Sequence, residues 1–409
     1  MNLHLDQSFV LQDQEIRITG SKSETNRLLL LQALYPKIRV ENASNSDDSE
    51  GMIKAVQTKD EVIDVHHAGT AMRFLTAFFA IQEGKTTTLT GSSRMKERPI
   101  KILVDALRQL GAHIEYLENE GFPPLQITGK KITTSAISLK ADVSSQYISA
   151  LLLIAPKLEN GLELTLVGEI TSLPYIKMTL ALLNKIGITT SFESNIIKIQ
   201  HKSDIDYQTI AIESDWSSAS YFYSIIALSD IGTQITLSNF KENSLQGDAT
   251  LVAIFEKFGV ETIFNTNNSI TVSKSTPHEL QPIICNLNNS PDIAQTIAVT
   301  CFGLGLECHL TGLHTLKIKE TDRLEALQKE LSKLGATVSI TADSLTLAPS
   351  KRRNSDIKIE TYNDHRMAMA FAPLALKKSI IIENAEVVSK SYPSFWENLK
   401  KIGFSVSEI

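Results

Sequence analysis

The sequence has few cysteines and no long apolar run. Its 409 residues include only three cysteines, Cys285, Cys301 and Cys308. Three cysteines cannot all pair, and their spacing does not fit a metal site, so we expect buried thiols and a cytoplasmic protein. No apolar run approaches the roughly 20 residues that a membrane-spanning helix needs. Residues 1–6 lack the basic and apolar segments of a signal peptide.

The sequence also lacks an excess of positive charge. Its formal net charge is −6 and its pI is about 5.9, which argues against nucleic acid or an anionic membrane as a partner. Six of the eleven arginines nevertheless fall within short polar motifs, namely Arg27, Arg73, Arg94, Arg98, Arg323 and Arg366. Because a guanidinium group is suited to carboxylates and phosphates, this distribution predicts small anionic ligands.

Two kinds of segment alternate along the chain. The first kind is an amphipathic helix that ends at a glycine before a strand, and it recurs before Gly111, Gly187, Gly259, Gly335 and Gly403, with a weaker copy at residues 40–56. The second kind is a polar turn that opens a helix with few charges, and it occurs at residues 20–30, 67–75, 142–148, 215–222, 290–296 and 362–370. A helix that is apolar all round is a buried one.

This alternation predicts an α/β protein of six βαβαββ-like modules of about 70 residues each. Three modules form each domain, the first spanning residues 21–213 and the second residues 1–20 and 214–409. Parallel buried helices would direct their positive ends the same way, so we expect the active site in a cleft between the domains. The basic segment at residues 351–355 is predicted to be an exposed loop.

A charged segment at residues 317–327 carries the clearest chemical signal. Lys319, Glu320 and Arg323 are predicted to lie within the first turn of a helix whose apolar face is Leu324, Leu327, Leu331 and Leu334. A carboxylate between two cations at a helix N-terminus suits proton transfer on an anionic substrate. The competing interpretation is a solvated helix start with charge pairs one turn apart.

Six motifs occur together and in order. They are GSKSETNR at 20–27, AGTAMR at 68–73, RMKERP at 94–99, VSSQ at 143–146, KETDR at 319–323 and YNDHRMAM at 362–369. Together they resemble the 5-enolpyruvylshikimate-3-phosphate synthase family over essentially the whole chain. The resemblance implies a two-domain inverse α/β barrel that closes over its substrates. It also implies a monomeric enzyme without a metal or organic cofactor.

The resemblance further implies transfer of the enolpyruvyl group of phosphoenolpyruvate to the 5-hydroxyl of shikimate 3-phosphate, with release of phosphate. This addition–elimination reaction belongs to the shikimate pathway of chorismate and aromatic amino-acid biosynthesis, and the family is the target of glyphosate. The chemistry needs a base for the hydroxyl, an acid for the methylene carbon, and cations for two phosphates and two carboxylates.

The family's site residues can be transferred to matching positions of this sequence. The resemblance makes Asp292, Glu320 and Lys22 the catalytic residues, with Asp292 as the base, Glu320 as the proton donor and Lys22 in contact with both substrates. Shikimate 3-phosphate would contact Lys22, Ser23, Arg27, Ser144, Ser145, Gln146, Ser172, Tyr175, Asp292, Thr315 and Lys319. Phosphoenolpyruvate would contact Lys22, Gly69, Thr70, Arg98, Gln146, Arg323, His365, Arg366 and Lys390.

Several of these residues have simpler interpretations. Ser144, Ser145 and Asp292 also fit helix N-caps, and His365 also fits an ordinary, partly buried histidine that at most positions other groups. Gly69 could serve a turn, or it could keep a side chain away from phosphoenolpyruvate.

Two positions depart from the family pattern. His67 and Thr315 stand where the family commonly has asparagine, which leaves the affinity for glyphosate open. The histidine's charge would vary near neutral pH.

Two alternative functions remain to be compared. An enolpyruvyl transferase acting on UDP-N-acetylglucosamine usually has a catalytic cysteine on the loop at residues 92–99, and this sequence has none there. A non-catalytic anion-binding protein on the same scaffold would be expected to lose Asp292 or Glu320, and both are present.

Overall fold

The computed structural model describes residues 1–141, 144–276, 281–350 and 356–409. The loop predicted at residues 351–355 and two residues of the VSSQ-containing segment, 142 and 143, lie outside the described residues. The chain divides into two compact units. The N-terminal unit is Gly20–Ile212, and the C-terminal unit combines Met1–Thr19 with Glu213–Ile409. Each unit has its own hydrophobic core.

The strands are short, with three to six residues each. In chain order they are β1 (Leu3–Leu5), β2 (Gln14–Arg17), β3 (Ile38–Glu41), β4 (Val62–Asp64), β5 (Thr86–Thr90), β6 (His113–Tyr116), β7 (Leu125–Thr128), β8 (Ala136–Lys140), β9 (Leu162–Val167), β10 (Thr190–Glu193), β11 (Ile196–Ile199), β12 (Gln208–Ala211), β13 (Gln234–Ser238), β14 (Val260–Phe264), β15 (Ser269–Lys274), β16 (Ile283–Asn286), β17 (Cys308–Thr311), β18 (Val338–Ile340), β19 (Leu345–Leu347), β20 (Ile357–Ile359), β21 (Ile380–Ile382) and β22 (Val406–Glu408).

The helices range from one to four turns. They are α1 (Lys22–Leu34), α2 (Asp47–Gln57), α3 (Gly69–Ala80), α4 (Ser93–Lys96), α5 (Lys101–Leu110), α6 (Ser145–Ile154), α7 (Leu173–Lys185), α8 (Trp216–Leu228), α9 (Leu251–Glu256), α10 (Ala294–Leu304), α11 (Arg323–Lys333), α12 (His365–Phe371) and α13 (Phe395–Lys401). Short 3₁₀ helices precede or follow several of them, including Gly247–Thr250, Pro291–Ile293, His314–Ile318 and Ala385–Lys390.

Five sheets share one pattern of four strands, in which one pair is parallel and two are antiparallel. Their strand orders are β4-β5-β7-β6 and β10-β11-β9-β8 in the N-terminal unit, and β14-β15-β13-β2, β16-β17-β19-β18 and β20-β21-β1-β22 in the C-terminal unit. This recurrence confirms the predicted α/β repeat architecture. The weaker sixth module differs, because its sheet contains only the parallel pair β12-β3 in the described part of the chain.

The segments with few charges form the buried helices, as predicted. The six helices α1, α3, α6, α8, α10 and α12 begin at the six polar turns, and all thirteen residues of α8 are buried. Two hydroxyl pairs show that α8 and α10 run parallel. Ser220 bonds to Thr296 at 3.0 Å, and Thr300 bonds to Ser224 at 2.8 Å, so both helices advance four residues together. The starts of α8 and α10 therefore share a direction.

Three further sequence predictions can be compared with the structure. Cys301 and Cys308 are buried as predicted, whereas Cys285 is only half-buried, and all three cysteines are free thiols. The glycines after α5 and α13, Gly111 and Gly403, have the positive φ that a helix C-cap requires. Among the described residues, no helix has both the length and the apolar character needed to cross a membrane. The predicted assignment of one substrate to each domain stays a prediction.

Candidate active site

In the N-terminal unit, predicted site residues lie at the starts of buried helices. Lys22 is the first residue of α1, Gly69 of α3 and Ser145 of α6. Side-chain hydroxyls cap two of these helices. Ser21 accepts the Glu24 N–H at 3.4 Å, and Ser144 accepts the Gln146 N–H at 3.4 Å. The cap interpretation of Ser144 is therefore correct, and a cap leaves the oxygen's other lone pair available to a ligand.

Direct contacts join these helix starts. The Gln146 side-chain amide donates to the Thr70 hydroxyl at 3.1 Å, which links α6 to α3. The Lys22 ammonium lies 3.2 Å from an Asp48 carboxylate oxygen on α2. Both members of this ion pair are largely buried. These contacts place Lys22 beside a carboxylate, and Gln146 beside Thr70.

Arg27 is buried between three helices. Its Nε donates to Thr179 at 2.8 Å, and its Nη2 donates to Ser149 at 2.9 Å and to the Tyr175 carbonyl at 3.4 Å. Its Nη1 donates to the Ser23 carbonyl at 2.8 Å. A guanidinium group has five N–H donors, so the four bonds leave one Nη1 hydrogen for a ligand. Burial lowers the pKa of Arg27 to about 10, which still keeps it charged at neutral pH.

Gly69 is packed against Arg98. A Cβ at position 69 would lie 2.5 Å from Nη1 of Arg98, so the missing side chain makes room for the guanidinium group. The Nε of Arg98 is buried and has no hydrogen-bond partner among the described residues. The prediction that Gly69 also makes room for phosphoenolpyruvate stays a prediction.

Ser172, Tyr175 and His67 also belong to this unit. Ser172 precedes α7 in a left-handed backbone conformation, with φ of +52°, and its side chain makes no cap bond to α7. The ring of Tyr175 lies 5.7 Å from the Arg27 guanidinium. His67, one of the departures, has its Nδ1 2.6 Å from the Nδ1 of His66. One of these two nitrogens must therefore donate to the other.

In the C-terminal unit, Arg323 is the centre of a charged cluster. This fully buried side chain donates to three carboxylates, with Nε 2.6 Å from Asp364, Nη1 2.9 Å from Asp292 and Nη2 2.8 Å from Glu320. Burial alone would lower the pKa of Arg323, but Asp364, Glu320 and Asp292 raise it well above the usual value. Arg323 is therefore a permanent cation that holds both proposed proton-transfer residues.

Asp292 is surrounded by positive charge. Besides Arg323, it contacts Arg366 at 3.1 Å and Lys319 at 3.5 Å. Burial would raise the pKa of Asp292, but Arg366, Lys319 and Arg323 together hold it well below the usual value. Burial lowers the pKa of Lys319, although Asp292 opposes that effect. With these partners in place Asp292 is a weak base.

The predicted position of the first helical turn is wrong for two residues. Helix α11 begins at Arg323, and Lys319 and Glu320 lie before it in non-helical backbone. The reason is Asp322, whose carboxylate accepts the N–H groups of Leu324 and Glu325 as an N-cap. A cap residue is not itself helical, so the helix starts one residue after it. Lys319 and Glu320 nevertheless lie against Asp292 and Arg323.

Three other predicted residues lie around this cluster. The Thr315 hydroxyl is buried without a hydrogen-bond partner in the described chain. His365 is buried, with Nδ1 3.9 Å from Asp364. Lys390 donates to the Asn363 carbonyl at 2.6 Å, so it contacts the turn that precedes α12.

The sequence did not identify three residues of this cluster. Asp364 was part of a recognised motif but had no assigned role, and it both caps α12 and binds Arg323. Tyr221 lies on the buried helix α8, and its hydroxyl accepts from Arg366 at 3.5 Å. Asp248 is buried with Oδ1 unpaired, and burial together with the charge of Asp292 raises its pKa to about 8. No local pattern distinguishes Asp248 from an ordinary loop aspartate.

The acidic, histidine and cysteine side chains were the candidates for metal ligands. In the described ranges, no group of three or more His, Cys, Asp or Glu side chains is arranged to hold a metal ion. The cluster around Arg323 instead alternates three cations (Lys319, Arg323 and Arg366) with three carboxylates (Asp292, Glu320 and Asp364). Arginine and lysine side chains of this kind form charge-assisted hydrogen bonds with carboxylates and phosphates.

The family model of EPSP synthase (3-phosphoshikimate 1-carboxyvinyltransferase) matches residues 37–399. The chain belongs to the EPSP synthase family. A 3-phosphoshikimate 1-carboxyvinyltransferase of Bacteroides fragilis (strain YCH46) is 46% identical over 395 residues, which cover 96% of this chain and 95% of that protein.

Solved structures show the same fold. The EPSP synthase from Acinetobacter baumannii aligns over 100% of both chains with a TM-score of 0.78 at 20% identity. The enolpyruvyl transferase NikO from Streptomyces tendae aligns over 99% of this chain and 98% of its own with a TM-score of 0.75 at 13% identity. The fold of the EPSP synthase family, two α/β domains, is therefore the fold of this chain.

Proposed function

We propose that this chain transfers the enolpyruvyl group of phosphoenolpyruvate to the 5-hydroxyl of shikimate 3-phosphate and releases phosphate. Family membership supports the reaction, and one observation supports the chemistry. Arg323 holds Asp292 and Glu320 on adjacent guanidinium nitrogens at 2.9 and 2.8 Å. A base and an acid are therefore fixed on either side of a cation that can bind an anionic substrate.

Phosphoenolpyruvate supplies the charge that makes Asp292 basic. When its carboxylate and phosphate bind Arg323 and Arg366, they offset the cations that hold the pKa of Asp292 low. The pKa of Asp292 then rises, and the carboxylate can accept the proton of the 5-hydroxyl. In the free enzyme Asp292 stays ionised and paired with cations. It therefore becomes an effective base only when phosphoenolpyruvate is bound.

Glu320 serves the carbon side of the reaction. In the addition step Asp292 takes the 5-hydroxyl proton, the 5-oxygen bonds to C2 of phosphoenolpyruvate, and Glu320, protonated in the substrate complex, gives a proton to the methylene carbon, which becomes a methyl group. In the elimination step the Glu320 carboxylate takes a proton back from that methyl group, Asp292 gives its proton to the departing phosphate, and the C2–O bond to phosphate breaks. The double bond is restored, and atoms and charge balance over the two steps.

The N-terminal unit is proposed to bind shikimate 3-phosphate. The remaining Nη1 hydrogen of Arg27 would bind the substrate carboxylate. Ser144 and Ser145, at the start of α6, would bind the 3-phosphate, where the helix N-terminus favours an anion. Lys22 pairs with Asp48 at 3.2 Å. To bind an anion it must either break this ion pair or divide its three N–H donors between Asp48 and the anion.

A phosphate-release assay tests the proposed function. The enzyme is mixed with phosphoenolpyruvate and either shikimate 3-phosphate or UDP-N-acetylglucosamine, and the product is identified by NMR. We expect phosphate release when the acceptor is shikimate 3-phosphate and none when it is UDP-N-acetylglucosamine. The product should be an enolpyruvyl ether at the 5-position of shikimate 3-phosphate. Release only with the nucleotide sugar, or with neither acceptor, would reject the proposal. The monomeric state and the cytoplasmic location also stay predictions, and light scattering after size exclusion tests the first.

A further inference from the structure

The turn that leads into α12 has an unusual backbone. Tyr362 and Asn363 both adopt left-handed conformations, with φ of +53° and +55°. Asparagine tolerates this region, but an aromatic residue rarely occupies it. Two consecutive non-glycine residues in this conformation are unfavourable by themselves, so contacts elsewhere must hold them there.

This turn determines where two charged groups of the cluster lie. The Asp364 N–H closes the turn on the Thr361 carbonyl at 2.8 Å. The Asp364 side chain then accepts the Arg366 N–H at 2.9 Å and the Nε of Arg323 at 2.6 Å. Helix α12 has only seven residues, too few to be stable without tertiary contacts. The direction of Arg366 therefore depends on the turn.

Glu330 is the buried group that fastens this turn. It lies on α11 seven residues after Arg323, so the two side chains share one face of the helix. Its Oε1 accepts the Tyr362 hydroxyl at 2.6 Å, and its Oε2 accepts the Glu360 N–H at 3.2 Å. Lys333 contacts the same carboxylate at 2.8 Å from a more exposed position. Glu330 is itself fully buried.

Helix α11 thus holds the segment before α12 at two points. Near its start, Arg323 binds Asp364, and two turns later Glu330 binds Tyr362 and Glu360. The turn is also held from another element, because Lys390 donates to the Asn363 carbonyl at 2.6 Å.

We propose that Glu330 is a positioning residue for the phosphoenolpyruvate site, acting through Tyr362 and the left-handed turn to keep Asp364 and Arg366 aligned with Arg323. The inference rests on the proposed function, in which Arg323 and Arg366 bind that substrate. A purely structural role would make Glu330 important for stability and irrelevant to substrate affinity. A mild substitution therefore distinguishes the two roles, because a positioning role predicts a higher KM for phosphoenolpyruvate and a purely structural role predicts only lower stability.

The test compares two variants that weaken the hydrogen bonds between Glu330 and the turn with one variant that leaves these hydrogen bonds in place. Tyr362→Phe removes one hydroxyl from the turn and keeps the ring, and Glu330→Gln weakens the acceptor. Lys333→Met is the matched control, because it removes an ion pair to the same carboxylate without touching the turn. We expect the first two variants to raise the KM for phosphoenolpyruvate about tenfold. The KM for shikimate 3-phosphate should stay unchanged in all three.

Amide hydrogen exchange over residues 361–367 gives a readout that needs no substrate. Exchange at Asp364 and Arg366 should accelerate in Tyr362→Phe and Glu330→Gln, and should match wild type in Lys333→Met. Wild-type exchange and wild-type KM in Tyr362→Phe would overturn the proposal, as would equal effects in Lys333→Met. If the wild-type enzyme shows no transferase activity, the proposed function fails, and the exchange data alone still decide whether Glu330 holds the turn.

Discussion

At the scale of single residues, the cluster around Arg323 is balanced in charge before any substrate binds. Lys319, Arg323 and Arg366 offset Asp292, Glu320 and Asp364, and the raised pKa of Asp248 keeps that carboxyl protonated at neutral pH. A substrate that carries a phosphate and a carboxylate adds negative charge to this balanced set. The carboxylates must then become more basic, and the reaction requires that change.

Glu320 can be separated from its neighbours by one substitution. Glu320→Gln keeps an oxygen for the Arg323 hydrogen bond but cannot donate an acidic proton. We expect nearly normal substrate KM values and a kcat lower by about a hundredfold or more, measured by phosphate release.

Glu325→Gln is the matched control, because Glu325 lies five residues further along, in the first turn of α11, but is exposed and makes only a 3.9 Å ion pair with Lys329. It should have wild-type activity. A Glu320→Gln enzyme with near-normal turnover would remove Glu320 from proton transfer.

Asp248 gives a prediction for the pH dependence of stability. Its pKa is about 8 in the folded chain against an ordinary 3.8, so between these values the folded protein holds a proton that the unfolded chain releases. The stabilisation is complete below pH 3.8 and is lost as the pH rises through 8. Asp248→Asn, which cannot ionise, should gain stability relative to wild type as the pH rises from 5 to 8.

Urea unfolding at each pH measures this difference. The exposed Asp230→Asn variant should show a constant difference from wild type over the same range. A difference for Asp248→Asn that is constant or shrinks with pH would mean that Asp248 is ionised in the folded protein.

At the scale of elements, α11 depends on its cap. Asp322 accepts the Leu324 and Glu325 N–H groups at 3.1 and 3.2 Å. Asp322→Ala should lower the free energy of unfolding by about 1 kcal/mol, whereas Asp322→Asn should keep most of it because asparagine is also a good cap. Since Arg323 is the first residue after the cap, the alanine variant should also raise the KM for phosphoenolpyruvate.

Denaturant unfolding and steady-state kinetics check both parts. Equal losses in the alanine and asparagine variants would show that the charge of Asp322, rather than its cap bonds, supports the helix.

At the scale of the whole molecule, the predicted residues divide between the two units. Lys22, Arg27 and Arg98 belong to the N-terminal unit, and Asp292 and Glu320 belong to the C-terminal unit. One reaction that uses all of them needs the two units to act on the same substrates. From the proposed function we expect the radius of gyration to decrease when shikimate 3-phosphate binds, because one ligand then contacts residues of both units.

Small-angle X-ray scattering with and without the ligand measures this closure. Shikimate without its phosphate is the control and should cause a smaller change. Scattering profiles that are identical in all three samples would contradict closure.

The sequence by itself determined the features that depend on near neighbours in the chain. The helix starts at Ser21 and Ser144, the glycine after α5 and the alternation of buried and amphipathic helices follow from local hydrogen bonding and periodicity. The same patterns carried the resemblance to the family, because motifs at helix starts are contiguous. The predicted first turn of α11 was wrong because Asp322 is the N-cap, so the helix begins at Arg323 and excludes Lys319 and Glu320.

Only the tertiary structure decided which charges meet. Arg323 pairs with Asp364, 41 residues away, and Arg27 pairs with Ser149 and Thr179, 122 and 152 residues away. Asp248 and Asp292 are also close enough in the folded chain for the charge of Asp292 to raise the pKa of Asp248. These pairings, and the pKa changes they cause, depend on distance and burial in the folded chain, which no spacing along the sequence specifies.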